Sequence, residues 1–337
     1  MIIPRPIKNV GIRPVLRRIA RVIETPFAKA WTKRVFITRE EFTDDLEHAI
    51  AAGESRCIGK IPHSERLTLM ADEILQKNQK KTTDRLNFHF GNQEGLFPVT
   101  PKFILEYRDF YIEHCRNLDH IGLLGIRKRY PISVVFQQKR MLCRLKLRGK
   151  KMDYSVHEFS PPTLIPVDPR QSYLNAFKGK KILIVCPFAE LLKARANKET
   201  FEGAWSKIGF EWFYPQSVEA IEFPYGFSKE TQAQYGNAIH LFRNITDRMD
   251  STDYDICLIG AAGLGIPLAS HAKNRGKIGF SMGGILQILF GVLGKRWRER
   301  ADWMERNVNE HWINMPERYK PKELAEGLEV CDNGAYW

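Results

Sequence analysis

The sequence predicts an α/β protein: a Rossmann-like doubly wound, mostly parallel sheet with flanking helices, preceded by a basic amphipathic N-terminal helix. Three observations carry this. In the C-terminal half, short apolar runs (KKILIVCPF at 180–188, DICLIG at 255–260, KIGFSM at 277–282) alternate with stretches long enough for helices. Two of those runs end in glycine-bearing turns, DICLIGAAGLGIPLA and GFSMGG, as when a buried strand feeds a helix. The chain has 337 residues, 43% hydrophobic and 27% charged, which is enough to bury a large core and excludes a disordered chain, a coiled coil or a disulfide miniprotein.

The elements follow in order. Thr38 is the predicted N-cap of a helix, with Glu41 three residues on completing a capping box. That helix runs to about Ala52 and ends at Gly53. SRCIGKI reads as a short strand, PHSE as a turn, and RLTLMADEILQ as a helix with Leu67, Met70, Ile74 and Leu75 on its apolar side. Residues 99–126 hold another helix and the apolar run IGLLGI, and ISVVF after it is strand-like. Residues 158–170 are proline-rich and read as a linker or crossover. After the strand at 180–188 come a helix (190–205), a weak strand EAIEF (219–223) and a helix (231–250). The strand at 255–260, a turn and helix (261–276), the strand at 277–282 and a helix GILQILFGVLG complete the pattern. This divides the chain into a basic segment 1–36, an N-terminal α/β part 37–157 with a basic insertion at 127–151, and a Rossmann-like part 158–337.

Net charge is +13 and the pI about 9.4, so an anionic partner is expected. The excess sits in two patches. Residues 1–34 carry nine Lys/Arg against Glu24 alone, and residues 127–151 carry ten with no acid. In the first, Ile12, Val15, Leu16, Ile19, Val22 and Ile23 recur at helical spacing between Arg13, Arg17, Arg18 and Arg21, with Trp31 and Phe36 beyond. Such a helix suits an anionic membrane surface, where each Lys or Arg contributes roughly 1 kcal/mol; the alternative is a helix packed on the body with a solvated basic face. The second patch fits a phosphate or an anionic lipid carrier, or is a solvated surface. Nucleic acid is the weaker partner, because no recognition-helix, zinc-finger or RNP pattern is present. The longest uncharged runs, 256–272 and 278–294, contain glycines and polar residues and read as buried strand–turn–helix rather than membrane spans. With no secretory signal and six scattered cysteines lacking a CxxC pair, the expectation is a cytoplasmic protein with reduced thiols, peripheral at the inner face of the membrane if the basic helix docks there.

Chemistry is expected at the two glycine turns. Gly260, Gly263 and Gly265 follow one strand; Ser281, Gly283 and Gly284 follow the next. Glycines let a ligand approach the backbone, and free N–H groups at a helix start attract phosphate; the alternative is that they serve tight strand–helix turns. The spacing is not GxGxxG. Two such turns on neighbouring strands would line one crevice at the carboxyl edge of the sheet, where open α/β folds bind ligands. Asp253-Tyr-Asp255 precedes its strand and is expected at the amino edge, away from that crevice.

DICLIGAAGLGIPLA, KIGFSMGGILQILFGVLGKRW, NEHW and the closing AYW, with GKKILIVCPF and SRCIGKIPHSE upstream, resemble the GT-D-fold glycosyltransferase family and its polysaccharide-biosynthesis relatives over roughly residues 50–337. The resemblance implies a nucleotide-sugar domain and sugar transfer from a UDP-type donor to a glycan or lipid-linked acceptor. It implies a divalent metal, Mn²⁺ or Mg²⁺, at an Asp-x-Glu turn that here reads His63-Ser64-Glu65, so the metal is in question; the alternative for Glu65 is a helix-capping charge. It implies that Lys295 and Arg296 neutralise the departing diphosphate, the alternative being charges that complement a helix end. Glu310 or His311 is the candidate general base and Trp312 a stacking face for sugar, against a structural role for each. Two rival functions stand beside this one: a non-catalytic nucleotide- or glycan-binding component of polysaccharide assembly, and a basic nucleic-acid-binding protein.

Overall fold

The computed structural model describes residues 36–61, 63–77, 79–123, 132–147, 149–153, 168–169, 172–326 and 334–337, without the side chains of 63, 132–135, 153 and 325. The expectations of an amphipathic helix within 1–36 and of a linker at 158–170 fall almost wholly outside the described residues.

The chain opens with strand β1 (Phe36–Ile37) and helix α1 (Arg39–Ala52). The capping box forms as read: the Thr38 hydroxyl accepts from the Glu41 N–H at 3.1 Å, and the Glu41 carboxylate accepts from the Thr38 N–H at 2.6 Å. Gly53 closes the helix at φ +67°, a left-handed conformation that favours glycine. Then come β2 (Arg56–Lys60), α2 (His63–Leu69), α3 (Ala71–Lys77), α4 (Lys80–Phe88) and a single π-helical turn, His89–Gln93. α5 (Pro101–Cys115), β3 (His120–Leu123), α6 (Ile132–Arg144) and β4 (Lys150–Asp153) complete the N-terminal half. The C-terminal half runs β5 (Lys181–Val185), α7 (Ala189–Arg195), α8 (Lys198–Trp205), β6 (Ser217–Ile221), α9 (Lys229–Tyr235), α10 (Ala238–Asp250), β7 (Ile256–Ile259), α11 (Gly265–Asn274) and β8 (Ile278–Ser281). It ends with α12 (Ile285–Leu289), β9 (Val292–Leu293), α13 (Lys295–Arg298), α14 (Ala301–Asn307), β10 (Ile313–Asn314) and α15 (Lys322–Ala325).

Eight strands form one sheet, all parallel, in the order β1-β4-β3-β2-β8-β7-β5-β6; this is a Rossmann-like α/β fold. Each half of the chain supplies four strands, and the halves join where Ile58 of β2 stands opposite Phe280 of β8. Both faces are covered, as parallel sheets require. Leu183, Val185, Cys257 and Ile259 pack into one apolar layer; Ile182, Ile184, Ile256 and Leu258 pack into the other. β6 lies on one side of β5 and β7 on the other, so the strand order reverses there. A crevice opens outside the carboxyl ends of strands at such a reversal.

Several elements differ from the sequence reading. The turn expected at PHSE is the first turn of α2, which the Glu65 carboxylate favours through the helix dipole. The ISVVF segment is helical rather than strand-like: β4 fills the place beside β3, and Met141, Leu142 and Leu145 are buried at helical spacing. The helix at 190–205 breaks into α7 and α8 at Asn197, whose side chain caps the Thr200 N–H at 2.9 Å. The helix at 231–250 breaks at Gly236, φ +70°, and restarts at Asn237, which caps the His240 N–H. GILQILFGVLG is helical only over Ile285–Leu289; beyond it Val292–Leu293 pairs in parallel with Ile313–Asn314.

Candidate functional site

The two glycine turns lie side by side. The Ile259 carbonyl accepts from the N–H groups of both Met282 and Gly283. A Cβ on Gly260 would sit 3.4 Å from the Gly283 carbonyl. Both turns stand on one rim, at the carboxyl ends of β7 and β8, and Gly260 and Gly283 line the same crevice. Ala262 holds φ +41° in the first turn, an uncommon conformation for a residue with a Cβ and one that clusters at functional turns.

The glycines divide into two roles. Gly263 is packed rather than open. Its N–H donates to the Glu94 carbonyl at 3.1 Å, its carbonyl accepts from the Tyr107 hydroxyl at 2.9 Å, and a Cβ would lie 2.9 Å from Leu96. A Cβ on Gly265 would lie 2.4 Å from the Ser281 hydroxyl. Gly263, Gly265 and Ser281 therefore bring α11 and the 94–96 loop against the sheet, and none of the three lines the crevice. Gly260 and Gly283 face the crevice, and Gly284 faces Tyr336 and Arg296, 3.1 and 3.6 Å from a Cβ placed there.

The crevice sits at the strand-order reversal and takes its wall from the loops after β5, β6 and β7. Phe188, Phe223, Tyr225 and Phe227 form an aromatic side, with the Tyr225 and Phe227 rings stacked at 5.2 Å and 15°. Tyr336 closes one end, and the turn at Gln93–Gly95 closes the other. Gly95 and Gly226 approach so closely that a Cβ on Gly226 would sit 1.9 Å from the Gly95 carbonyl. The cavity is partly open to solvent and about 60 Å³ in volume, smaller than the roughly 300–1,000 Å³ of ligand pockets.

Beside the crevice is a buried ionisable centre. Lys60 ends β2 and is half-buried; burial, then the charge of Arg296, push its ammonium down to about 7 against the pull of Glu65. Glu65 is 7% exposed on the first turn of α2, with the Ser64 hydroxyl donating to it at 2.5 Å. Glu94 is 3% exposed, and the Thr68 hydroxyl stands 3.0 Å from both of its oxygens. Burial, then the charge of Glu65, hold the Glu94 carboxyl well above the usual carboxylate range. Arg296 completes the group, its guanidinium 5.4 Å from the centre of the Tyr336 ring.

The remaining sequence candidates fall elsewhere. Lys295 is exposed, and its N–H donates to the Trp337 carbonyl. The Glu310 side chain is 86% exposed, and the His311 ring packs on α8, 2.7 Å from where a Gly203 Cβ would be. Neither lines the crevice. Trp312 is buried against Trp205 and Trp303 and donates to the Ala204 carbonyl at 2.7 Å, so the structure does not bring residues 310–312 to the crevice. Asp253 and Asp255 lie at the amino edge, bound to the Lys181 side chain and N–H. The His63 side chain lies outside the described residues, and with it half of the expected metal pair. Among the described residues no group of three or more His, Cys, Asp or Glu converges. Lys60 feels the charges of both Glu65 and Arg296.

Lys60, Glu94 and the aromatic wall escaped the sequence reading. A lysine closing an apolar strand is the signal for the first. The other two depend on loops that meet only in the fold. No family model, curated protein or solved structure matches this chain.

Proposed function

We propose that the protein is a glycosyltransferase that moves a sugar from a nucleoside-diphosphate donor to a glycan or surface-polysaccharide acceptor. The observation that carries this reading is the meeting of two unlike surfaces on one rim. An aromatic slot at the strand-order reversal suits a flat base, and a cationic, proton-holding centre next to it suits a diphosphate and a hydroxyl acceptor. Gly283 leaves its backbone open on this rim, with nothing within 4 Å of a Cβ placed there.

The donor base stacks along Tyr225 and Phe227, and Tyr336 folds over it. The diphosphate crosses Gly260 and Gly283 toward Arg296 and Lys60, whose charges offset the negative charge that builds on the leaving group. Glu65 takes the proton of the acceptor hydroxyl as the new glycosidic bond forms. Glu94, kept protonated beside it, lets one negative charge rather than two occupy the buried pair.

Calorimetric titration with UDP, with and without Mn²⁺, tests the reading. Arg296→Met is expected to weaken UDP binding by roughly tenfold to a hundredfold, the worth of one or two charge-assisted hydrogen bonds. Wild-type protein that binds neither UDP nor any other nucleoside diphosphate refutes the donor site. No helix among the described residues is long and apolar enough to cross a membrane.

A further inference from the structure

A second concavity, a groove of about 390 Å³, lies between α2, α3, α4 and α6. Its floor is apolar: Leu67, Met70 and Ile74 reach it from the edge of the core. Its rim is basic, with Arg66, Lys77 and Arg140. The one acid in the lining, Glu73, is held by Arg144 and lies 3.8 Å from Arg140. Phe136, one turn before Arg140 on α6 and next to the lining residue Gln137, is 41% exposed. α6 lies within a 25-residue stretch, 127–151, that carries ten basic residues and no acid. The groove also adjoins the candidate centre, because Arg66 on its rim follows Glu65 directly and is anchored to α6 through Gln137 at 2.5 Å.

An apolar floor under a cationic rim matches an amphiphile with a hydrocarbon chain and an anionic head. We propose that this groove holds a lipid phosphate, the carrier end of the acceptor, with its chain along Met70 and Ile74 and its phosphate against Arg66 and Arg140. The inference rests on the glycosyltransferase reading for its purpose: a lipid phosphate seated there presents the sugar it carries toward Glu65. It sets the acceptor class as lipid-linked.

Farnesyl monophosphate below its aggregation limit tests this by calorimetry on the full chain, because a monomeric probe needs no membrane surface. It is expected to bind, with farnesol and inorganic phosphate each at least tenfold weaker, and saturating UDP is expected to leave its affinity unchanged. The double variant Phe136→Ser/Arg140→Glu alters two exposed side chains and is expected to lose roughly tenfold in farnesyl phosphate affinity while keeping UDP binding. Competition by UDP, equal binding of inorganic phosphate, or an unchanged double variant would each overturn the proposal. Failure of wild-type protein to bind UDP sinks the donor reading instead, and the farnesyl phosphate titration then still judges the groove.

Discussion

In the 181–281 half of the sheet, β5 and β7 read KILIV and ICLI, and both faces of each are buried. In the 36–153 half, β4 reads KKMD and β2 reads RCIGK, and ionised side chains gather at both edges. At the amino edge Asp45 accepts from His120 at 2.9 Å and Arg56 at 3.3 Å and pairs with Lys150. At the carboxyl edge Lys60, Glu65 and Glu94 share a nearly dry space. Both halves are closely packed, and the N-terminal half adds buried or half-buried charges that find partners far along the chain. The candidate site takes bare backbone and rings from the first and titratable groups from the second.

The sharpest way to break this contrast is at the seam. β8 reads IGFS, and a Cβ on Gly279 would stand 2.2 Å from the Ala269 carbonyl of α11. Gly279→Val therefore forces a helix off the sheet. It is expected to cost about 3 kcal/mol or more, since overpacking against backbone finds no side chain to yield. Urea denaturation measures it, and a loss below about 1 kcal/mol would mean that the seam is soft.

Next in size is the charged half's own anchor. Burial opposes ionisation of Asp45, but hydrogen bonds from Lys150 and His120 prevail and hold its carboxyl at about 2. Its pKa is depressed in the folded protein, so its contribution is fully present above the unfolded value of about 3.9 and is lost as pH falls toward 2. Asp45→Asn is expected to cost about 1–2 kcal/mol at neutral pH, discounted because Lys150 is half-exposed. The loss shrinks to nothing at the acid end. Stability curves that stay parallel down to pH 2 would contradict this.

These two sites also show what was legible. β5, β7 and β8 were read correctly because their signal is local: apolar runs bounded by glycine or charge. The rim they form was read correctly too, since two glycine turns on adjacent strands must share an edge. β1 and β4 were not, because FI is two residues long and KKMD holds a single apolar residue; each is a strand through its pairing, Phe36 opposite Lys151 and His120 opposite Lys150. The packing around Gly263 and Gly265 was not legible for a related reason. Whether a glycine is bare to a ligand or crowded by Leu96 or Ser281 depends on which loop returns to cover it.

A third test reaches the titratable centre, and its size grows with pH. Glu94 is raised in the folded protein by burial and by Glu65, so the folded state holds a proton that the unfolded chain releases near pH 4.3. Stability on this account falls as pH rises above that value. Glu94→Gln keeps the shape and cannot ionise. Near pH 5 it should match the wild type closely, and its advantage should widen toward pH 8 or so. Equal slopes for the two proteins across that window would show that Glu94 is ionised in the fold.

The smallest effect sharpens the contrast at a place where the charged half is local after all. Thr38 and Glu41 exchange two hydrogen bonds within four residues, and both were legible as a capping box before any packing was known. Thr38→Ala removes the acceptor for the Glu41 N–H and is expected to cost about 1 kcal/mol. The loss should not depend on pH near neutrality, because the lost acceptor is a hydroxyl. Glu41→Gln should cost less, since an amide oxygen can still accept from the Thr38 N–H. A larger loss for Glu41→Gln than for Thr38→Ala would mean that the Glu41 charge, acting on the α1 dipole, holds this helix start, and that even the legible part of this half is electrostatic.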